Sequence, residues 1–148
     1  KKFLPECTST ALQECERQQL LNAYDNSIVE TDLFLDSVLQ WLSAQSSKAQ
    51  TAMMYVADHG ESLGENNLYL HGAPYMFAPA EQTRVPMMLW MSDGFSERFG
   101  IDRTCLMARR SQPLSHDNVF HSVLGMLDVN TAVLNPRLDL FHACRRGT

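Results

Sequence analysis

Asp58, His59, Glu61 and His71 are the residues of this 148-residue chain whose types and spacing suit metal-assisted phosphoryl transfer. A carboxylate oxygen and an imidazole nitrogen are both zinc ligands, and neighbouring residues leaving a strand converge where the chain turns sharply. Gly60 permits that turn and a close backbone approach. Glu61 can accept a hydrogen bond from a ligating histidine. His71 returns after a loop and can take a second metal or a phosphate oxygen. Asp-His-Gly alone is a weak signal, and an acidic loop is ordinarily just solvated. Three features weigh against that bland reading: the apolar run before Asp58, the continuation Gly60-Glu61-Ser62-Leu63-Gly64-Glu65, and a second histidine in the same loop. No complete Ser-His-Asp set, P-loop or dinucleotide fingerprint stands elsewhere in the chain.

These residues need elements to place them. Residues 1–14 read as an irregular lead-in. A long amphipathic helix is predicted from about Glu16 to Ala44, with Leu20, Leu21, Tyr24, Ile28, Leu33, Phe34, Val38, Trp41 and Leu42 close to a 3.6-residue period. Thr51–Ala57 then reads as a short buried strand. A long Gly- and Asn-rich loop runs from Asp58 to Ala80, and long structured loops in compact domains are usually functional. A second strand is predicted over Val85–Met91 and a helical turn over Asp93–Phe99. Ser115 reads as the N-cap of a helix from His116 to about Leu127, whose apolar face carries Val119, Phe120, Val123, Leu124 and Leu127. The tail, Asn130–Thr148, is weakly patterned. Helix, strand, loop, strand and helix predict a layered α/β fold. In such sheets ligands sit beyond the carboxyl ends of strands, which is where Asp58 and His59 stand.

Composition bounds the rest. Apolar content of 45% and charged content of 20% predict a packed core. The net charge is −5 and no basic run is present, which argues against a nucleic-acid partner. Apolar runs such as Met53–Ala57 and Pro86–Met91 fall far short of the roughly 20 residues of a membrane helix. The start at Lys1-Lys2-Phe3 reads as a point inside a longer gene. Four cysteines without a Cys-x-x-Cys suit two disulfides in an oxidising compartment. Cys7–Cys15 would staple a loop before the helix, and Cys105–Cys144 would tie the tail to the domain. The alternative is four reduced, partly buried thiols.

The loop motif as a whole is specific. Asp58-His59-Gly60-Glu61-Ser62-Leu63-Gly64-Glu65-Asn66, Tyr69-Leu70-His71-Gly72, Ala78-Pro79 and Val85-Pro86 resemble the bacterial lipid A phosphoethanolamine transferases. That family includes the mobile colistin-resistance enzymes and belongs to the alkaline phosphatase and sulfatase superfamily. The resemblance extends to Tyr24-Asp25-Asn26, Leu114-Ser115-His116-Asp117-Asn118 and the Cys144-Arg145-Arg146 end. Generic sulfatases share the Asp-His-Gly and Val-Pro parts but typically place a lysine near position 71.

The resemblance implies a fragment of an alkaline phosphatase-like three-layer α/β/α sandwich. Residues 1–148 would be the C-terminal part of a periplasmic catalytic domain at the bacterial inner membrane, with the membrane helices and the nucleophile-bearing half upstream. It implies zinc held by Asp58 and His59, together with an upstream glutamate and a nucleophilic threonine. His71 would contact phosphoethanolamine or a further zinc. The pairs Cys7–Cys15 and Cys105–Cys144 match the family's disulfides. The implied reaction moves phosphoethanolamine from phosphatidylethanolamine to a lipid A phosphate through a phosphothreonine. Thr8, Thr31, Thr51, Thr83 and Thr104 all lie outside the nucleophile's expected context, so the chain alone is expected to be inactive. Competing readings are a sulfatase or phosphoglycerol transferase of the same superfamily, and a non-catalytic metal-binding module.

Other candidates have plain alternatives. His116 reads as a cap-region residue, and His121 and His142 as ordinary, partly exposed residues. Tyr24 and Asp25 read as fixing the long helix. Tyr75, Met76 and Phe77 would form an apolar lip for a lipid tail, or equally pack the loop. Arg109-Arg110 and Arg145-Arg146 could touch anionic headgroups, but read better as solvated charge.

Overall fold

The computed structural model describes residues 1–146. The chain forms helix α1 (Arg17–Gln45), strand β1 (Ala52–Val56), the short strands β2 (Ser62–Leu63) and β3 (Tyr69–Leu70), and α2 (Ala80–Thr83). It continues with β4 (Met87–Met91), α3 (Asp93–Arg98), α4 (Arg103–Ala108) and α5 (Asp117–Met126). β1 pairs with β4, and β2 with β3. The Ala57 amide donates to the Pro86 carbonyl at one end of the first pair, and the Ser92 amide to the Thr51 carbonyl at the other. The start of one strand therefore meets the end of its partner, and the pair is antiparallel. The mixed α/β class expected from the sequence is what these residues form. None of the described helices is long and apolar enough to cross a membrane.

Two compact units can be described separately: Lys1–Trp41 with Met54–Leu89, and Leu42–Met53 with the chain from Trp90 onward. In the first, the lead-in is fastened to α1 by asparagines. Asn26 accepts from the Lys2 and Phe3 amides at 2.8 and 2.9 Å, and donates to the Phe3 carbonyl and to Glu6 Oε1. One turn earlier, Asn22 donates to the Pro5 carbonyl. Cys7 and Cys15 are disulfide-bonded with their Cα atoms 5.7 Å apart. The buried residues of α1 are Leu20, Asn22, Asn26 and Leu35. This corrects the expected apolar face: Ile28, Leu33, Phe34 and Trp41 are all exposed. Asn26 is the member of its tripeptide whose side-chain hydrogen bonds hold the helix to the lead-in.

In the second unit Ser92 caps α3, accepting from the Phe95 amide, and also accepts from the Thr51 amide. Asp102 caps α4, a helix the sequence reading leaves out. α5 begins at Asp117, and His116 before it already has helical φ and ψ and makes no side-chain cap bond. Ser115 supplies the expected cap: its hydroxyl accepts from the Asp117 amide, and its own amide donates to Asn118 Oδ1. The buried face of α5 is Asn118, Ser122 and Gly125, whereas Phe120, Val123 and Leu127 are exposed. The small and polar residues let the tail approach. Asn118 Nδ2 donates to the Leu138 carbonyl, and Ser122 Oγ accepts from the Leu140 amide. A Cβ at Gly125 would lie 2.1 Å from Asp139 Oδ2. Phe141 is fully buried, and Cys144 is bonded to Cys105. Arg145 donates to the Phe99 and Gly125 carbonyls.

Candidate metal centre

β1 carries the chain to Asp58 and His59, and Gly60 turns it immediately afterwards. The Gly60 amide donates to the Gln82 carbonyl at 3.0 Å. A Cβ at position 60 would lie 2.0 Å from the Glu81 carbonyl oxygen, so only glycine fits. Downstream, β2 and β3 form an antiparallel hairpin in which Ser62 faces Leu70 and Leu63 faces Tyr69. Gly64, Asn66 and Asn67 adopt positive φ around its tip, residue types that tolerate the left-handed region. Glu65 accepts from the Leu63 amide at 2.7 Å across the same tip. Continuing the register one step back and one step on sets Glu61 opposite His71. Ten positions of sequence separation thus close into a contact: His71 Nδ1 lies 2.8 Å from Glu61 Oε1.

The imidazole tautomers follow from their partners. His59 Nδ1 is 3.1 Å from the Gly60 carbonyl, which can only accept. Nδ1 then carries the proton, and the lone pair sits on Nε2. The same logic at His71, whose Nδ1 faces a carboxylate, leaves its Nε2 lone pair free. The two rings stack with centroids 3.7 Å apart. Asp58 Oδ1 accepts from the His59 amide at 3.0 Å. Hydrogen bonds from its own amide and that of His59, with the neighbouring His59 ring, hold its carboxyl below the ordinary range.

Two observations bear on whether a cation fits. Two donors on a tetrahedral zinc, with bonds of about 2.0–2.1 Å, stand about 3.3–3.4 Å apart. Asp58 Oδ2 and His59 Nε2 are 3.6 Å apart. Secondly, Glu61 Oε2 is buried with no hydrogen-bond partner among the described residues. A buried carboxylate oxygen calls for a proton, a water or a cation. His59, Glu61 and His71 each offer one ligand atom, all within 4.8 Å of one another. Asp58 lies outside that trio and is highly exposed, its side chain 89% accessible. The residues present therefore suit a divalent cation with imidazole and carboxylate donors.

The remaining candidates lie elsewhere. His121 Nδ1 accepts from the Asn135 amide, and His142 opens a short 3₁₀ turn. Thr51 donates to the Leu42 carbonyl, and Thr31 and Thr83 bond back to carbonyls one turn earlier. Tyr75, Met76 and Phe77 are 86%, 87% and 74% exposed, so they do not pack the loop. Gln82, outside every motif read from the sequence, is buried and touches three points of the loop. Nothing in its sequence context signals this, because the role depends on contacts distant along the chain.

A family model described as Sulfatase matches residues 1–129. The chain is 41% identical over 147 residues to phosphoethanolamine transferase EptA of Escherichia coli K12, covering 99% of this chain and 27% of that protein. It is 40% identical over 136 residues to phosphatidylethanolamine transferase Mcr-1 of Escherichia coli, covering 92% of this chain and 24% of that protein. The soluble domain of lipooligosaccharide phosphoethanolamine transferase A from Neisseria meningitidis superposes with a TM-score of 0.91 at 41% identity, covering 98% of this chain and 44% of that one. The chain thus spans about a quarter of the length of these curated relatives. The resemblance read from the loop motif is borne out, as is the α/β class of an alkaline phosphatase-like domain.

Proposed function

Because the chain belongs to the sulfatase family, we propose that it forms the C-terminal part of a catalytic domain that transfers phosphoethanolamine from phosphatidylethanolamine to lipid A. The names of the relatives support the donor and the transferred group. The lipooligosaccharide transferase supports a glycolipid acceptor. The proposal places the domain on the periplasmic face of the inner membrane, anchored by helices outside this chain, and links it to polymyxin and colistin resistance. The nucleophilic threonine that would carry the phosphoethanolamine in transit also lies outside residues 1–148, so this chain alone is inactive.

The observation that carries the reading is the 3.6 Å spacing of Asp58 Oδ2 and His59 Nε2. Asp58 and His59 are the proposed zinc ligands. When bound, zinc neutralises phosphoryl charge and lowers the nucleophile's pKa. The Gly60 carbonyl keeps the His59 proton on Nδ1, so that the Nε2 lone pair can serve as a ligand. Glu61 does the same for His71, whose Nε2 is then available to the phosphoethanolamine group. The exposed Tyr75-Met76-Phe77 turn follows four residues after His71 and supplies apolar surface for an acyl chain.

The test is a substrate panel on the full-length protein, with zinc content measured before and after Asp58→Ala and His59→Ala. Phosphoethanolamine transfer that disappears together with the zinc is expected. Sulfate-ester cleavage without that transfer would overturn the proposal in favour of a sulfatase.

A further inference from the structure

We propose that Gln82 is a positioning residue that sets the distance between the two halves of the cation site. This rests on the reading of His59, Glu61 and His71 as part of that site.

Gln82 is 7% exposed, and three of its atoms hold three separate segments. Its backbone carbonyl accepts from the Gly60 amide at 3.0 Å, directly after His59. Its side-chain Nε2 donates to Ser62 Oγ at 2.8 Å, directly after Glu61. Its Oε1 accepts from the Ala73 amide at 3.3 Å, two residues after His71. Ser62 is 1% exposed, so its hydroxyl has no solvent alternative. The segment carrying His59 and Glu61 and the segment carrying His71 are thereby fixed to one residue. β2 and β3 have only two residues each, too short a ladder to hold that separation alone. The fit at Gly60, where a Cβ would strike the Glu81 carbonyl, shows how closely the segment around Gln82 presses on the turn.

The amide of Gln82 suits the task chemically. In Gln82 one end donates to Ser62 and the other accepts from a backbone amide, and the bond to Ser62 can run either way because a hydroxyl both donates and accepts. Methionine has the same reach and makes neither bond. Glutamate can make both, with the Ser62 hydroxyl as donor.

The test measures Zn²⁺ affinity by competition with a chromophoric chelator, and the visible absorption of the Co²⁺-loaded protein, at full length. Thermal melting of each variant checks the fold. Loss of an outer partner of a metal ligand typically costs about 10–100-fold in affinity. Gln82→Met is expected to lose about tenfold, the low end of that range, and to alter the Co²⁺ spectrum. Gln82→Glu is expected to recover most of the affinity. His59→Ala is the control for the site itself. If His59→Ala loses the cation while Gln82→Met binds as the wild type does, the role of Gln82 is overturned and the site stands. If His59→Ala binds as the wild type does, both are overturned. Should Gln82→Met fail to fold, Ser62→Ala decides: weakened binding supports the role, and wild-type affinity overturns it.

Discussion

Glu61 and His71 face each other across the β2–β3 hairpin, with Oε1 and Nδ1 2.8 Å apart. The carboxylate fixes the imidazole's proton and ring orientation, an arrangement that strengthens the opposite nitrogen as a donor to a cation or a hydrogen-bond partner to phosphate. Glu61→Ala removes the acceptor and is expected to weaken zinc binding about 10–100-fold in the full-length protein. Chelator competition measures this, and an unchanged affinity would count against any role for Glu61 at the metal.

Gly60→Ala places a methyl 2.0 Å from the Glu81 carbonyl oxygen. Backbone, not a flexible side chain, must move to make room. The expected cost is about 1–3 kcal/mol of stability, with a fall in zinc affinity because Asp58 and His59 precede the displaced turn. Denaturant titration and metal content read the two effects separately.

Asn26→Ala leaves the Lys2 and Phe3 amides and the Phe3 carbonyl without their partner. A loss of about 1–3 kcal/mol is expected. Asp25→Ala, one residue away, is expected to fall within about 0.5 kcal/mol of the wild type. Equal effects in unfolding titrations would show that Asn26 does not fasten the lead-in.

Burial holds the Asp139 carboxyl above the ordinary range, against the opposing pull of the Phe141 amide and Arg145. Between the ordinary carboxylate pKa and the raised one, the folded protein keeps a proton that the unfolded chain has released. Stability therefore falls as pH rises through that window. Asp139→Asn is neutral throughout and can still accept from the Phe141 amide, which bonds to Asp139 Oδ1 at 2.8 Å. The variant is expected to flatten this part of the profile. Parallel urea midpoints for the two proteins from acid to neutral pH would contradict it.

The parts of the fold and site that were legible in the sequence are those set by local chemistry. The long 3.6-residue period gave α1 to within a residue of each end, and the apolar runs gave β1 and β4. The Asp-His-Gly exit from β1 pointed to the site. The hairpin inside the loop was illegible because strands of two residues show no alternation. Glu61 is legible as an acceptor for a ligating histidine, but the pairing with His71 in particular needs the hairpin register. Gln82 and Asn26 act through contacts made by the folded chain, which leave no periodic trace. On α5 the apolar positions pointed to the wrong face, because close approach of the tail favours Asn118, Ser122 and Gly125 over bulkier residues. The Ser115 cap was legible because it is local: its hydroxyl accepts from the Asp117 amide two residues on.

Because the hairpin register aligns Glu61 with His71, length variation is tolerated unevenly along this segment. One residue inserted between Leu70 and His71 would swing the imidazole to the far side of the ribbon. Two would return it to the near side but about 6.6–6.8 Å further along, beyond the reach of Glu61. Extra residues at the Asn66-Asn67 tip would leave the two side chains aligned. That tip is where a longer or shorter hairpin is compatible with the same site.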